Sequence, residues 1–192
     1  MRSPNPHVRP RNRLLLAVLA LCVVVATAVP TAQAASPCAA ASATPGQAGK
    51  RAIVRATLCT INAERSRYGL GALGLDRRLS KAAAAHAGDM DSRNYFAHDS
   101  LGGGSFVDRI RRAGYLNGAR SWTVGENIAW GSERRGAPRT ITRMWMNSPE
   151  HRANLVRPGL RELGVGVLCG SPFSTGRVAD ATYTVDLGAR WH

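Results

Sequence analysis

From residue 50 onward, apolar positions recur first at helical and then at strand spacing. Val54, Leu58, Ile61 and Tyr68 follow helical spacing, and Gly69 stops that run. Asp76 is placed to cap a second helix, in which Leu79, Ala83, His86 and Met90 repeat at intervals of 4, 3 and 4, so His86 joins the buried stripe. Ser105-Phe106-Val107-Asp108 reads as a capping box opening a short third helix that ends at Gly114. Pro138 suits the first turn of a fourth helix carrying Ile141, Met144 and Trp145. Pro149 then drives Ser148 out of helical geometry, and Ser148 can cap a further turn holding Glu150 and His151.

Beyond residue 160 the period falls to two. Leu163, Val165, Val167 and Cys169 alternate with Gly164, Gly166 and Leu168, and Tyr183, Val185 and Leu187 alternate with Thr182, Thr184 and Asp186. Both runs are expected to be strands, joined as a hairpin through the turn-rich stretch 170–176, with Trp122 to Trp130 as a third strand. Helices come first, then a strand, a helix and two strands. Without strict βαβ alternation, this order predicts an α+β domain whose helices cover the faces of an antiparallel sheet, not a doubly wound fold.

The first 34 residues follow another pattern. Arg2, Arg9, Arg11 and Arg13 precede an uncharged run from Leu14 to Val29, Pro30 breaks it, and Ala32-Gln33-Ala34 offers small residues at a cleavage site. That order is the grammar of a secretory signal, and the run is shorter than the roughly 18–20 apolar residues of a membrane span. The expected division is therefore a signal peptide at 1–34, a flexible linker at 35–49 rich in Ala, Ser and Pro, and one domain at 50–192, with no transmembrane segment in the mature, secreted chain. Export directs attention to extracellular partners. Removing the leader leaves a net charge of +10, which favours anionic polymers or lipid headgroups of the envelope, and no specific nucleic-acid partner is expected. Only Lys50 and Lys81 are lysines, so the charge is nearly all arginine and also fits a general compositional bias. Cys22 leaves with the leader. Of Cys38, Cys59 and Cys169, the preferred pair is Cys38–Cys59, with Cys59–Cys169 as the alternative.

Three local sequences place ionisable side chains beside turn signals: Tyr95 to Ser100, Gly125 to Ala129, and Ser148 to Asn154. From them come His98, Glu126 and His151. Two imidazoles and a carboxylate form an acceptable three-ligand set for a divalent metal such as zinc, with a fourth position open. They also suit general base catalysis, or a hydrogen-bonded network fixing loops to the sheet. No pair of them has the one-turn spacing of H-E-x-x-H, so spacing does not choose among these. Ser100 lacks a G-x-S-x-G setting, Gly102-Gly103-Gly104 reads as a turn, and Arg152 and Asn154 read as a surface ion pair and a turn brace.

The ordered set Ile61-Asn62-Ala63-Glu64-Arg65, Ala85-His86-Ala87-Gly88-Asp89-Met90, Phe96-Ala97-His98, Gly125-Glu126-Asn127-Ile128-Ala129, Trp145 with Ser148 through Asn154, and Gly164-Val165-Gly166 resembles the bacterial branch of the CAP superfamily. That group holds cysteine-rich secretory, antigen-5 and pathogenesis-related proteins, also called SCP-like extracellular domains. The resemblance implies a three-layer α–β–α sandwich with a central antiparallel sheet and a cleft lined by His and Glu, and it makes residues 50–192 the CAP domain. His98 matches the family's first cleft histidine and Glu126 the glutamate of its GEN motif. Ser148 stands where eukaryotic members carry a second glutamate, and no histidine lies near Arg161–Glu162 to match their last one; His151, from the SPxHR-type motif, is the substitute. The expected function is a secreted recognition module whose cleft binds a small ligand, an envelope component or a divalent metal. A metal-assisted hydrolase, peptidase or wall-degrading, is the alternative using the same three residues.

Overall fold

The computed structural model describes residues 38–173 and 180–192; the leader and its Cys22 lie outside them. Helices α1 (Pro45–Ala48) and α2 (Lys50–Arg67) are followed by β1 (Gly74–Leu75), α3 (Arg77–Ser92), α4 (Phe106–Arg112) and β2 (Ser121–Gly131). A 3-10 turn (Glu133–Gly136), α5 (Pro138–Asn147), α6 (Pro149–Leu155), β3 (Glu162–Cys169) and β4 (Ala181–Trp191) complete the chain. The start signals act as their chemistry dictates. Asp76 accepts the backbone N–H groups of Arg78 and Leu79 at 2.7 and 2.9 Å, and Ser105 and Asp108 form the capping box of α4.

The sheet order is β1-β3-β4-β2. The three long strands are antiparallel, as expected; the short β1, which alternation does not reveal, pairs parallel to β3 and makes the sheet mixed. Helix α3 lies across one face of β3 and β4. Helices α2 and α5 cover the other face, where Ile53, Ile61, Ile141, Trp145, Leu163, Val165, Tyr183 and Val185 form the main core. The result is the α–β–α sandwich. The period-2 pattern explains how α3 can approach so closely. Gly164 and Gly166 point toward it, and a Cβ added there would lie 2.1 Å from the Leu79 carbonyl carbon and 2.3 Å from that of Ala83.

Two details depart from the pattern reading. The buried stripe of α2 runs through Ile53, Ala56, Thr57, Thr60, Ile61 and Arg65, while Tyr68 is exposed. Arg65 is buried because its guanidinium serves loop carbonyls, those of Gly71 at 2.9 Å and Leu155 at 2.8 Å, and Asn62 exchanges two hydrogen bonds with the backbone of Leu73. Asn62 and Arg65 of the INAER sequence are thus braces, while Glu64 pairs with Arg67 on the helix surface. In addition, residues 38–48 fall in the stretch read as a linker, yet they fold. Ala41, Thr44 and Pro45 are buried, and the Cys38–Cys59 disulfide ties this segment to α2. With a sequence separation of 21 residues, that bridge contributes about 3 kcal/mol in the chain-entropy view. Cys169 is free and exposed at the end of β3.

Candidate functional site

Strand β2 is an outer strand, and its two faces serve different partners. Val124, Glu126 and Ile128 face α3 and α4. The Glu126 carboxylate is fully buried and both oxygens are engaged: His98 Nδ1 donates to Oε1 at 2.8 Å and the Arg109 guanidinium to Oε2 at 2.7 Å. Arg109, itself 6 % exposed at the side chain, also donates to the His98 carbonyl at 2.7 Å and to Ser100 Oγ at 3.2 Å. One guanidinium therefore fixes the 98–104 turn and neutralises the carboxylate below it. His98 is half exposed, so the cluster reaches solvent through its imidazole.

Directly across the ladder from Glu126 stands Asp186. It is fully buried, and burial together with the negative charge of Glu126 pushes its carboxyl well above the ordinary carboxylate range. Neither Asp186 oxygen meets a partner at full hydrogen-bond geometry, so its interaction with Glu126 is more electrostatic than directional. A carboxyl that keeps its proton when folded and loses it near pH 4 when unfolded favours folding most at low pH, and that contribution fades as pH rises through the folded value. Asp186→Asn removes this dependence. The expected result, from urea unfolding between pH 4 and pH 8, is a variant that gains on the wild type as pH increases; parallel curves would show that Asp186 titrates normally.

His151, in the first turn of α6, accepts or donates at Nδ1 with Ser148 Oγ at 2.8 Å, so the cap hydroxyl holds a ring instead of a backbone N–H. The edge of β2 is fastened to α5 and α6 by side chains. The Trp145 indole donates to the Ile128 carbonyl at 2.9 Å, Asn154 donates to the Glu126 carbonyl at 3.2 Å, and Asn127 donates to the His151 carbonyl at 3.0 Å. Asn154 thus braces a strand, and Arg152 donates to the Met146 carbonyl at 3.1 Å. Around this edge opens a hollow of about 260 Å³ lined by Phe96, Ile128, Trp130, Met144, Trp145, Ser148 and His151. Phe173 stands at 5.4 Å from Trp130 and 6.4 Å from Phe96, ring to ring. Burial, and then the neighbouring His98, hold the His151 imidazole below its usual pKa.

Of the three residues expected at the site, His98 and Glu126 are joined directly. His151 lies within electrostatic reach of His98 but bonds to its own turn. Among the described residues, no three His, Cys, Asp or Glu side chains gather as a metal-holding group. A carboxylate already bonded to a guanidinium and an imidazole is a poor donor set for zinc as it stands.

The model of the cysteine-rich secretory protein family, CAP, matches residues 58–185. The chain belongs to the CAP family. It is 41 % identical over 105 residues to YkwD of Bacillus subtilis (strain 168), a match covering 55 % of this chain and 38 % of YkwD. An extracellular SCP-domain protein from Bacillus anthracis superposes with a TM-score of 0.54 at 31 % identity, over 71 % of this chain and 39 % of that one. An outer surface protein of Borrelia burgdorferi shares the fold at a TM-score of 0.56 and 22 % identity, over 70 % of this chain and 90 % of its own. The chain thus spans well under half the length of YkwD and of the Bacillus anthracis protein.

Within this CAP domain, two site residues escape the motif reading. Arg109 sits between Phe106, Ile110 and Ala113 on the inward face of α4, so a cation on an apolar stripe is the signal that marks it. Asp186 alternates with a core run and looks solvent-facing, but its face of β4 is the one covered by α3. His86, read as a core histidine, is fully buried; its Nε2–H donates to the Ala97 carbonyl at 2.9 Å, and burial keeps the ring below its usual pKa.

Proposed function

We propose that this CAP domain is a secreted recognition module that binds a sugar ring of an envelope glycan in the hollow at the edge of β2. The observation that carries this reading is the pairing of an apolar, aromatic-sided hollow with the polar tips of Ser148 and His151 on its wall. Ligand pockets combine mostly apolar walls with a few oriented polar groups, and a sugar ring offers an apolar face to aromatics and hydroxyls to an imidazole. The buried Arg109–Glu126–His98 cluster supports the same reading, because it fixes the loop beside the hollow and holds both carboxylate oxygens in bonds to Arg109 and His98. Secretion is part of the proposal; it is supported by the leader pattern and the disulfide, and no helix among the described residues is long and apolar enough to cross a membrane.

Calorimetry with a wall-derived disaccharide tests the assignment. The purified protein is expected to bind it, with at least tenfold weaker affinity in Phe96→Ala and His151→Ala. Absence of binding in the wild type would reject the glycan assignment. Zinc uptake, or cleavage of wall polymer or peptide that disappears in Glu126→Gln, would put the metal-assisted hydrolase in its place.

A further inference from the structure

Sharing no lining residue with that hollow, a basin of about 410 Å³ opens between α3, α4 and the 98–105 turn. We propose that this basin binds the phosphate group of a small phosphomonoester. Four cations line it, Lys81, Arg93, Arg109 and Arg112, against a single acid, Asp89. Arg93 is paired with Asp89 at 3.5 Å and Arg109 with Glu126. Asp108, the acid nearest on α4, is paired with Arg111. Lys81 and Arg112 are left, two positive charges that match a dianion better than a singly charged carboxylate.

Beneath the basin lie two buried polar atoms that do not open onto it. His86 and Arg109 are both more than nine-tenths buried, and each keeps one polar atom without a partner, Nδ1 of the imidazole and Nε of the guanidinium. Such orphans are rare in folded proteins. Because Nε2 of His86 carries the proton given to Ala97, Nδ1 is the acceptor, while Arg109 Nε–H is a donor. A phosphomonoester, whose second ionisation lies near pH 6, presents acceptor oxygens only as the dianion, and these answer to the cations of the rim, Lys81 and Arg112. Alanines of α3 and the alanine that ends α4 form the remaining wall, leaving room for a short carbon chain.

The basin is separate from the glycan hollow, so the two readings stand or fall separately. Glycerol 3-phosphate, titrated calorimetrically into the purified protein at low salt, is the probe. Wild type is expected to bind it, to bind acetate at least tenfold more weakly, and to give no heat with glycerol. The exposed pair Lys81→Ala/Arg112→Ala, and independently Ala85→Glu on the wall, should each weaken binding at least tenfold with an unchanged thermal midpoint. Vesicles containing phosphatidic acid distinguish the source: competition by glycerol 3-phosphate assigns a lipid phosphate to the same basin. Failure of wild type to bind glycerol 3-phosphate, equal affinity in both variants, acetate binding as tightly, or vesicle binding without the soluble ester would each overturn the proposal.

Discussion

Arg109→Met is expected to cost about 3–5 kcal/mol of folding stability, the range for removing one partner of a buried ion pair. The loss has two parts. Glu126, fully buried, keeps its charge without its guanidinium. The His98 carbonyl and Ser100 Oγ lose a donor. Arg109→Lys should recover only part of the stability, because one ammonium cannot take the place of a planar fork that reaches Glu126 and two groups of the 98–104 turn. Pairing Arg109→Met with Glu126→Gln should also restore part of it, since the uncompensated charge is then gone. Urea unfolding of wild type and these three variants measures the differences. A loss under about 1 kcal/mol, the size expected of an exposed pair, would show that the cluster is solvated.

The second large effect is steric. Gly164→Ala and Gly166→Ala are each expected to cost about 3 kcal/mol or more, at or beyond the upper end for overpacked cores. The new methyl at 164 would meet Leu79 C at 2.1 Å and Ser80 N at 2.3 Å; at 166 it would meet Ala83 C and O, both at 2.3 Å. These are backbone atoms of α3, which cannot rotate aside, so the whole helix must lift from the sheet. Gly71→Ala is the matched control, with nothing within 4 Å of its added methyl. It should change stability by no more than about 0.5 kcal/mol. Comparable unfolding midpoints for all three variants would mean that α3 sits less tightly than described.

The elements that the sequence makes legible are those with local causes. Capping by Asp76 and Ser105, the helix stop before Pro149 and the alternation of Leu163 to Cys169 each depend on residues a few positions apart, and each appears in the fold. The parallel β1 does not show itself, because two residues cannot display a period and its partner strand lies far along the chain, Gly74 pairing with Glu162. The site divides in the same way. His98 stands in a turn and Glu126 in the middle of β2; both stand out as ionisable groups in the matched motifs, and their bond is consistent with the resemblance. Arg109 has a local mark, its place on the apolar stripe of α4, but its partner Glu126 lies on another element, and the burial of Asp186 is decided by which face of β4 meets α3, which no local pattern reports. The stretch at 38–48 is likewise held by a disulfide and by burial of Ala41 and Thr44, which its linker-like composition conceals.

The side-chain fastenings along β2 also bear on how this domain behaves among its own copies. An outer strand normally offers a row of free carbonyl and amide groups that a second polypeptide can extend. Here an indole and an asparagine amide already occupy the outward carbonyls of Ile128 and Glu126. At the opposite border the outermost strand is only two residues long. At these points β2 is closed to strand addition, and β1 offers a second copy of the chain only two residues to pair with.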